Sequence, residues 1–122
     1  MSSGDRPVVL VLEDEWIIAD QVTDGLRAEG FEVAGPASRV EQAFAIQATR
    51  HIDFAVLDIN VYGETSFRFA EFLAQQGVPF LFLSGYSEAE IPNSLVGGVL
   101  YQKPVSIDLL VRGIRAALGK PT

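Results

Sequence analysis

The sequence contains no cysteine, which excludes a disulfide scaffold and any thiolate metal site while leaving the redox compartment open. Basic residues are scarce. Nine Lys and Arg face sixteen Asp and Glu, giving a formal charge of −7. Such a field repels phosphate backbones and anionic lipid, so neither nucleic acid nor a membrane is expected as a direct partner; cations and basic protein patches are. Long hydrophobic runs are missing too. Met1–Arg6 is polar, and the first apolar run, Pro7–Leu12, is too short for a signal-peptide core or a membrane span, so a cytoplasmic location is expected. Internal repeats and low-complexity tracts are also absent. What remains is 122 residues with 48% apolar and 20% charged side chains, the make-up of one ordinary globular domain with no appended effector expected.

Short apolar runs bounded by turn residues alternate with stretches of helical periodicity. Pro7–Leu12, Phe54–Leu57 and Pro79–Leu83 lack polar alternation, which marks strands covered on both faces. Val33–Gly35 and Val99–Gln102 are weaker strand candidates, the second introduced by Gly97-Gly98. Trp16–Glu29 spaces Ile17, Ile18, Val22 and Leu26 as a helix, with Gly30 as its stop. Ser38 and Glu41 read as a capping box ahead of Ala43, Phe44, Ile46 and Gln47. Ser66–Gln76 is a third helix, ending at Gly77, and Ser106 caps a last one carrying Leu109, Leu110, Ile114 and Leu118. The helix position at Glu88–Leu95 is interrupted by Pro92, Asn93 and Ser94, so it is expected to be short, distorted or mobile.

Five strands alternating with helices fit a doubly wound α/β sandwich with a parallel sheet, in which ligands bind beyond the carboxyl ends of the strands. Those ends read Glu13-Asp14-Glu15, Asp58-Ile59-Asn60, Ser84-Gly85-Tyr86 and Lys103-Pro104. Three carboxylates from Glu13, Asp14 and Asp58 within about 4 Å would repel by a few kcal/mol per pair, so the site must protonate one or hold a cation. Magnesium suits best, because it accepts carboxylates and a carbonyl and keeps positions for phosphate oxygens. Asp58 ends an apolar strand alone and is a candidate nucleophile for an acyl phosphate. Lys103 is placed to offset the new charge and Ser84 to hydrogen-bond it.

This pattern of an acidic pair, a lone Asp, a Ser and a Lys-Pro after successive strands resembles the receiver domain of two-component response regulators, over Pro7–Leu118 with short tails at 1–6 and 119–122. The resemblance implies a flavodoxin-like, CheY-like (βα)5 sandwich with strand order 2-1-3-4-5. It implies that Asp58 accepts phosphate from a histidine kinase or phosphotransfer protein, and that Asp14, Asp58 and the backbone carbonyl of Asn60 bind Mg²⁺, with Glu13 acting through a coordinated water. Ser84 and Lys103 would hold the phosphoryl oxygens, and the Lys103-Pro104 bond would be cis. Such a chain is its own substrate, not a turnover enzyme, and signals to a downstream protein by contact, as a monomer or weak dimer.

The chain departs from the common receiver at Leu100, where an aromatic switch residue usually stands; Tyr101 follows on the opposite strand face. The run Pro79–Tyr86 is similar to the FAT GUY subfamily, with Ser and Leu in place of that motif's Thr and Ala. Tyr86 is therefore expected to take over the switching role. His51, the one histidine, is read as a surface residue, neither phosphodonor nor ligand. Within the fold the alternative is a degenerate receiver acting as an interaction module without phosphorylation, which the intact acidic, Ser and Lys positions disfavour. An aspartyl-phosphate hydrolase wants a second Asp where Asn60 stands. Flavin binding wants a Ser/Thr/Gly-rich loop where Glu13-Asp14-Glu15 would repel the phosphate.

Overall fold

Residues 6–85, 95 and 99–119 are described by the computed structural model. In chain order the elements are β1 (Val8–Leu12), α1 (Trp16–Ala28), β2 (Glu32–Ala37), α2 (Val40–Thr49), β3 (Phe54–Asp58), β4 (Asn60–Val61), β5 (Glu64–Thr65), α3 (Phe67–Gln75), β6 (Phe80–Ser84), β7 (Val99–Gln102) and α4 (Ile107–Ala117). Five of the strands form one parallel sheet in the order β2-β1-β3-β6-β7. Counted along the main sheet alone, this is the expected 2-1-3-4-5 order. None of the helices among the described residues is long and apolar enough to cross a membrane.

Side chains alternate across a strand, and the sheet divides its apolar residues accordingly. Leu10, Leu12, Ala55, Leu57 and Phe82 share one core with Ala43 of α2 and Phe69, Ala70 and Leu73 of α3. Val9, Val11, Phe54, Val56, Leu81 and Leu83 share the other with Val22 and Leu26 of α1 and Leu110, Val111 and Ile114 of α4. Both faces are therefore covered, which is why these strands read as continuous apolar runs. On the second face two glycines permit close approach. A Cβ on Gly25 would stand 2.7 Å from Ile107, and one on Gly113 would stand 2.4 Å from the Tyr101 hydroxyl.

Among the described residues the helix signals hold with one correction. α1 stops at Gly30 (φ 94°), where Gly30 N–H donates to Arg27 and Phe31 N–H to Leu26, closing the end as a left-handed glycine cap does. Ser106 Oγ accepts from Leu109 N–H at 3.0 Å and caps α4. At α2 the expected Ser38–Glu41 box is replaced by a Gln42 clamp. Its Oε1 accepts from Ser38 N–H at 2.8 Å, Ser38 Oγ at 3.1 Å and Arg39 N–H at 3.3 Å. The helix begins at Val40, one residue later than that box requires, so the side chain that reaches back comes from Gln42.

β2 is longer than the expected Val33–Gly35. It tolerates Gly35 and Pro36 because it is an edge strand and its register against β1 shifts between Leu10 and Leu12. Between β3 and α3 the chain adds a small antiparallel hairpin, β4 with β5, that the sequence reading did not anticipate. Its two loop residues, Tyr62 (φ 49°) and Gly63 (φ 80°), both have positive φ, the signature of a type I′ turn. The Lys103-Pro104 bond is cis as expected, and Gly35-Pro36 is cis as well. The helix position Glu88–Ser94, the pair Gly97-Gly98 and Tyr86 lie outside the described residues; Leu95 is buried in the core.

Candidate functional site

Because the main sheet is parallel, its carboxyl ends meet along one edge, and short extensions of the ladder fix the residues just beyond them. Glu13 N–H donates to Ala37 O at 2.9 Å, Ile59 N–H to Leu83 O at 3.1 Å and Lys103 N–H to Ser84 O at 2.8 Å. Asp58 itself lies opposite Leu83, and Ser84 opposite Gln102. The sequence-predicted Glu13, Asp14, Asp58 and Lys103 are brought together here. Ser84 ends β6 in the same row, buried, and Asn60 opens β4, exposed and opposite Thr65.

Glu13, Asp14 and Asp58 place one carboxylate oxygen each within 4.8 Å of one another. Glu13 and Asp58 are buried, and Asp14 is half-buried. The Lys103 ammonium stands 2.9 Å from Glu13 Oε1, 2.8 Å from Glu15 Oε1 and 3.3 Å from Asp58 Oδ2. Two backbone N–H groups complete the frame. Glu15 N–H donates to Glu13 Oε2 at 3.0 Å, and Tyr62 N–H donates to Asp14 Oδ2 at 3.0 Å.

The electrostatics follow from burial and crowding. Burial, reinforced by the Glu13 charge, pushes the Asp58 carboxyl up to about 8, against the opposing pull of Lys103. Burial disfavours the Lys103 ammonium, but its bonds to Glu15 and Glu13 and the charges of Asp58 and Glu13 outweigh that, and its pKa is raised. Three carboxylates and one ammonium leave a net negative site made of hard oxygens, and Glu13 Oε1 is buried without a well-formed hydrogen bond despite its closeness to Lys103. A small divalent cation fits that donor set. Beside it opens a cavity of about 760 Å³ between α1 and the β7–α4 connection, lined by Glu15, Ile18, Lys103 and Pro104 among others.

Three residues at the site escaped the sequence reading in this role. Glu15 stands in the sequence only as the last of three acidic residues after the first strand, yet it is an ion-pair partner of Lys103. Tyr62 supplies an N–H to Asp14 from a left-handed conformation that its side chain does not favour, and Gly63 was the one available signal of the turn. Arg39 lays its guanidinium 4.2 Å from the centre of the Tyr62 ring, a pairing with no sequence signature. Leu100 and Tyr101 lie on opposite strand faces, as expected. Leu100 packs on the α2–α3 side of the sheet and Tyr101 on the α1–α4 side. His51 is an exposed residue whose ring lies 2.8 Å from Asp53.

No family model matches the chain. Among solved structures it is similar to SdrG from Sphingomonas melonis Fr1, with 32% identity, 93% of this chain and 96% of that one covered, and a TM-score of 0.79. It is also similar to the response regulator REC domain of PhyR from Erythrobacter litoralis, with 26% identity, 96% and 95% covered, and a TM-score of 0.78. Among curated proteins it is similar to the transcriptional regulatory protein PdtaR of Mycobacterium tuberculosis, 26% identical over 92% of this chain. The chain spans only a little over half of that relative, 57% of its length.

Proposed function

The chain belongs to the CheY-like receiver domains of response regulators, and from that membership we propose that it accepts a phosphoryl group on Asp58 and signals by protein–protein contact. The observation that carries this reading is Asp58 itself. It is a buried carboxylate at the end of β3, 3.3 Å from a lysine ammonium and grouped with two further carboxylates.

In the reaction an Asp58 carboxylate oxygen attacks phosphorus in a phosphohistidine of a histidine kinase or phosphotransfer protein. The P–N bond breaks, its electron pair stays on the imidazole nitrogen, and an aspartyl phosphate remains on Asp58. Bound Mg²⁺ supplies the positive charge that keeps Asp58 ionised at neutral pH and balances the transferred oxygens. Asp14, Asp58 and the backbone carbonyl of Asn60 are the groups that would hold it, with Glu13 acting through water. Lys103 pairs with a phosphoryl oxygen as a point charge, and the Ser84 hydroxyl donates to another. The chain is thus a phosphoacceptor, not a turnover enzyme, and phosphohistidine donors charged from ATP fit a cytoplasmic setting.

Borohydride trapping tests the site directly. After incubation with acetyl phosphate and Mg²⁺, reduction converts an aspartyl phosphate to homoserine, and peptide mapping is expected to find it at position 58. Homoserine elsewhere, or none, contradicts the assignment.

A further inference from the structure

We propose that Glu15 restrains Lys103 and so sets how tightly the site takes a phosphoryl group, an inference that rests on the phosphoacceptor reading above. Three carboxylates compete for one ammonium: Glu15 at 2.8 Å, Glu13 at 2.9 Å and Asp58 at 3.3 Å. They are not equivalent. Glu13 and Asp58 belong with Asp14 to the cluster that gathers one oxygen from each within 4.8 Å, and a cation held there neutralises their pull on Lys103. Glu15 is outside that cluster, so its hold on Lys103 survives cation binding. A phosphoryl group on Asp58 brings roughly −1.5 to −2 charges and needs the ammonium turned toward it. Glu15 is the anion it must displace.

The pair spans the protein surface. The Lys103 side chain is 10% exposed and the Glu15 side chain 62%, so a nearly buried cation is steered by an anion in solvent. Glu15 has little structural duty to confuse the reading. It stands at the N-cap of α1 without a side-chain capping bond, and its one bond within the acidic turn is made by its backbone N–H, which substitution by Gln or Ala retains. Removing its charge therefore changes the field at Lys103 and leaves the frame in place.

Beryllium fluoride with Mg²⁺, a mimic of the phosphoryl group on an aspartate, is the probe. Its affinity is measured by ¹⁹F NMR for the parent chain, Glu15→Gln, Glu15→Ala and Asp20→Asn, at low salt and near 0.5 M. Both Glu15 variants are expected to bind about two- to fivefold more tightly at low salt, the scale of one exposed ion pair, and the gain is expected to shrink in high salt. Asp20→Asn removes the same charge from α1 without touching an ion-pair partner of Lys103, and is expected to change nothing. Equal or weaker affinity in the Glu15 variants, or an equal gain in Asp20→Asn, overturns the inference and leaves the phosphoacceptor reading intact. No adduct in any of the four proteins overturns both.

Discussion

The backbone N–H of Tyr62 donates to Asp14 Oδ2 at 3.0 Å across 48 positions of sequence. This bond joins the acidic turn after β1 to the hairpin after β3, and it fixes one oxygen of Asp14. Tyr62 is held in a left-handed conformation there (φ 49°), and its exposed ring is covered by the Arg39 guanidinium. The N-terminus of α2 is thereby tied to the hairpin tip.

Arg39→Ala removes that cover without touching a carboxylate. An exposed cation–π contact contributes about 0.5–1 kcal/mol, so if the contact helps hold Tyr62 N–H against Asp14, Mg²⁺ affinity is expected to fall about two- to fivefold. Calorimetric titration with Mg²⁺ reads this, alongside the fluorescence of Trp16, the one tryptophan. Unchanged affinity means that the hairpin backbone alone holds the tip.

The raised pKa of Asp58 makes stability depend on pH. Near pH 3 the carboxyl is protonated in folded and unfolded chains alike. Between its ordinary value of 3.8 and about 8, only the unfolded chain releases the proton, so the folded state binds more protons and loses stability as pH rises. Thermal melts in EDTA are expected to show Asp58→Asn gaining over the parent chain from pH 5 to pH 8, reaching about 4 °C or more at pH 8. A gap that does not grow with pH rules out burial of Asp58 as its cause.

Gly113→Ala pits helix propensity against packing. Alanine favours a helix interior over glycine by about 1 kcal/mol, but its Cβ would stand 2.4 Å from the Tyr101 hydroxyl and 3.4 Å from the ring carbon that bears it. Overpacking is expected to win, with a net loss of about 1 kcal/mol in urea unfolding. Adding Tyr101→Phe, which removes the oxygen, is expected to restore stability. A Gly113→Ala protein as stable as the parent would show that Tyr101 moves aside freely.

Much of the fold was legible because its signals are local and repeated. Apolar runs such as Pro7–Leu12 and Phe54–Leu57 announce strands covered on both faces, and Gly30 and Ser106 mark helix ends by mechanisms confined to a few residues. The Ser38–Glu41 box failed because a one-residue shift in where α2 begins moves the reaching side chain to Gln42. The β4–β5 hairpin was hidden by its length and by Tyr62, which stands where a type I′ turn favours Asn, Asp or Gly. At the site, Glu13, Asp14, Asp58 and Lys103 were legible because a parallel sheet gathers its strand ends on one edge. Glu15, Arg39 and Tyr62 were not, since their roles come from contacts between segments distant in sequence.

Intact-mass measurement after incubation with acetyl phosphate tests most directly whether Asp58 is a metal-dependent phosphoacceptor. The parent chain with Mg²⁺ is expected to gain one phosphoryl group. That gain is expected to vanish in EDTA and in Asp58→Asn, and to diminish in Lys103→Ala. An adduct that persists in Asp58→Asn, or forms equally without Mg²⁺, contradicts the account.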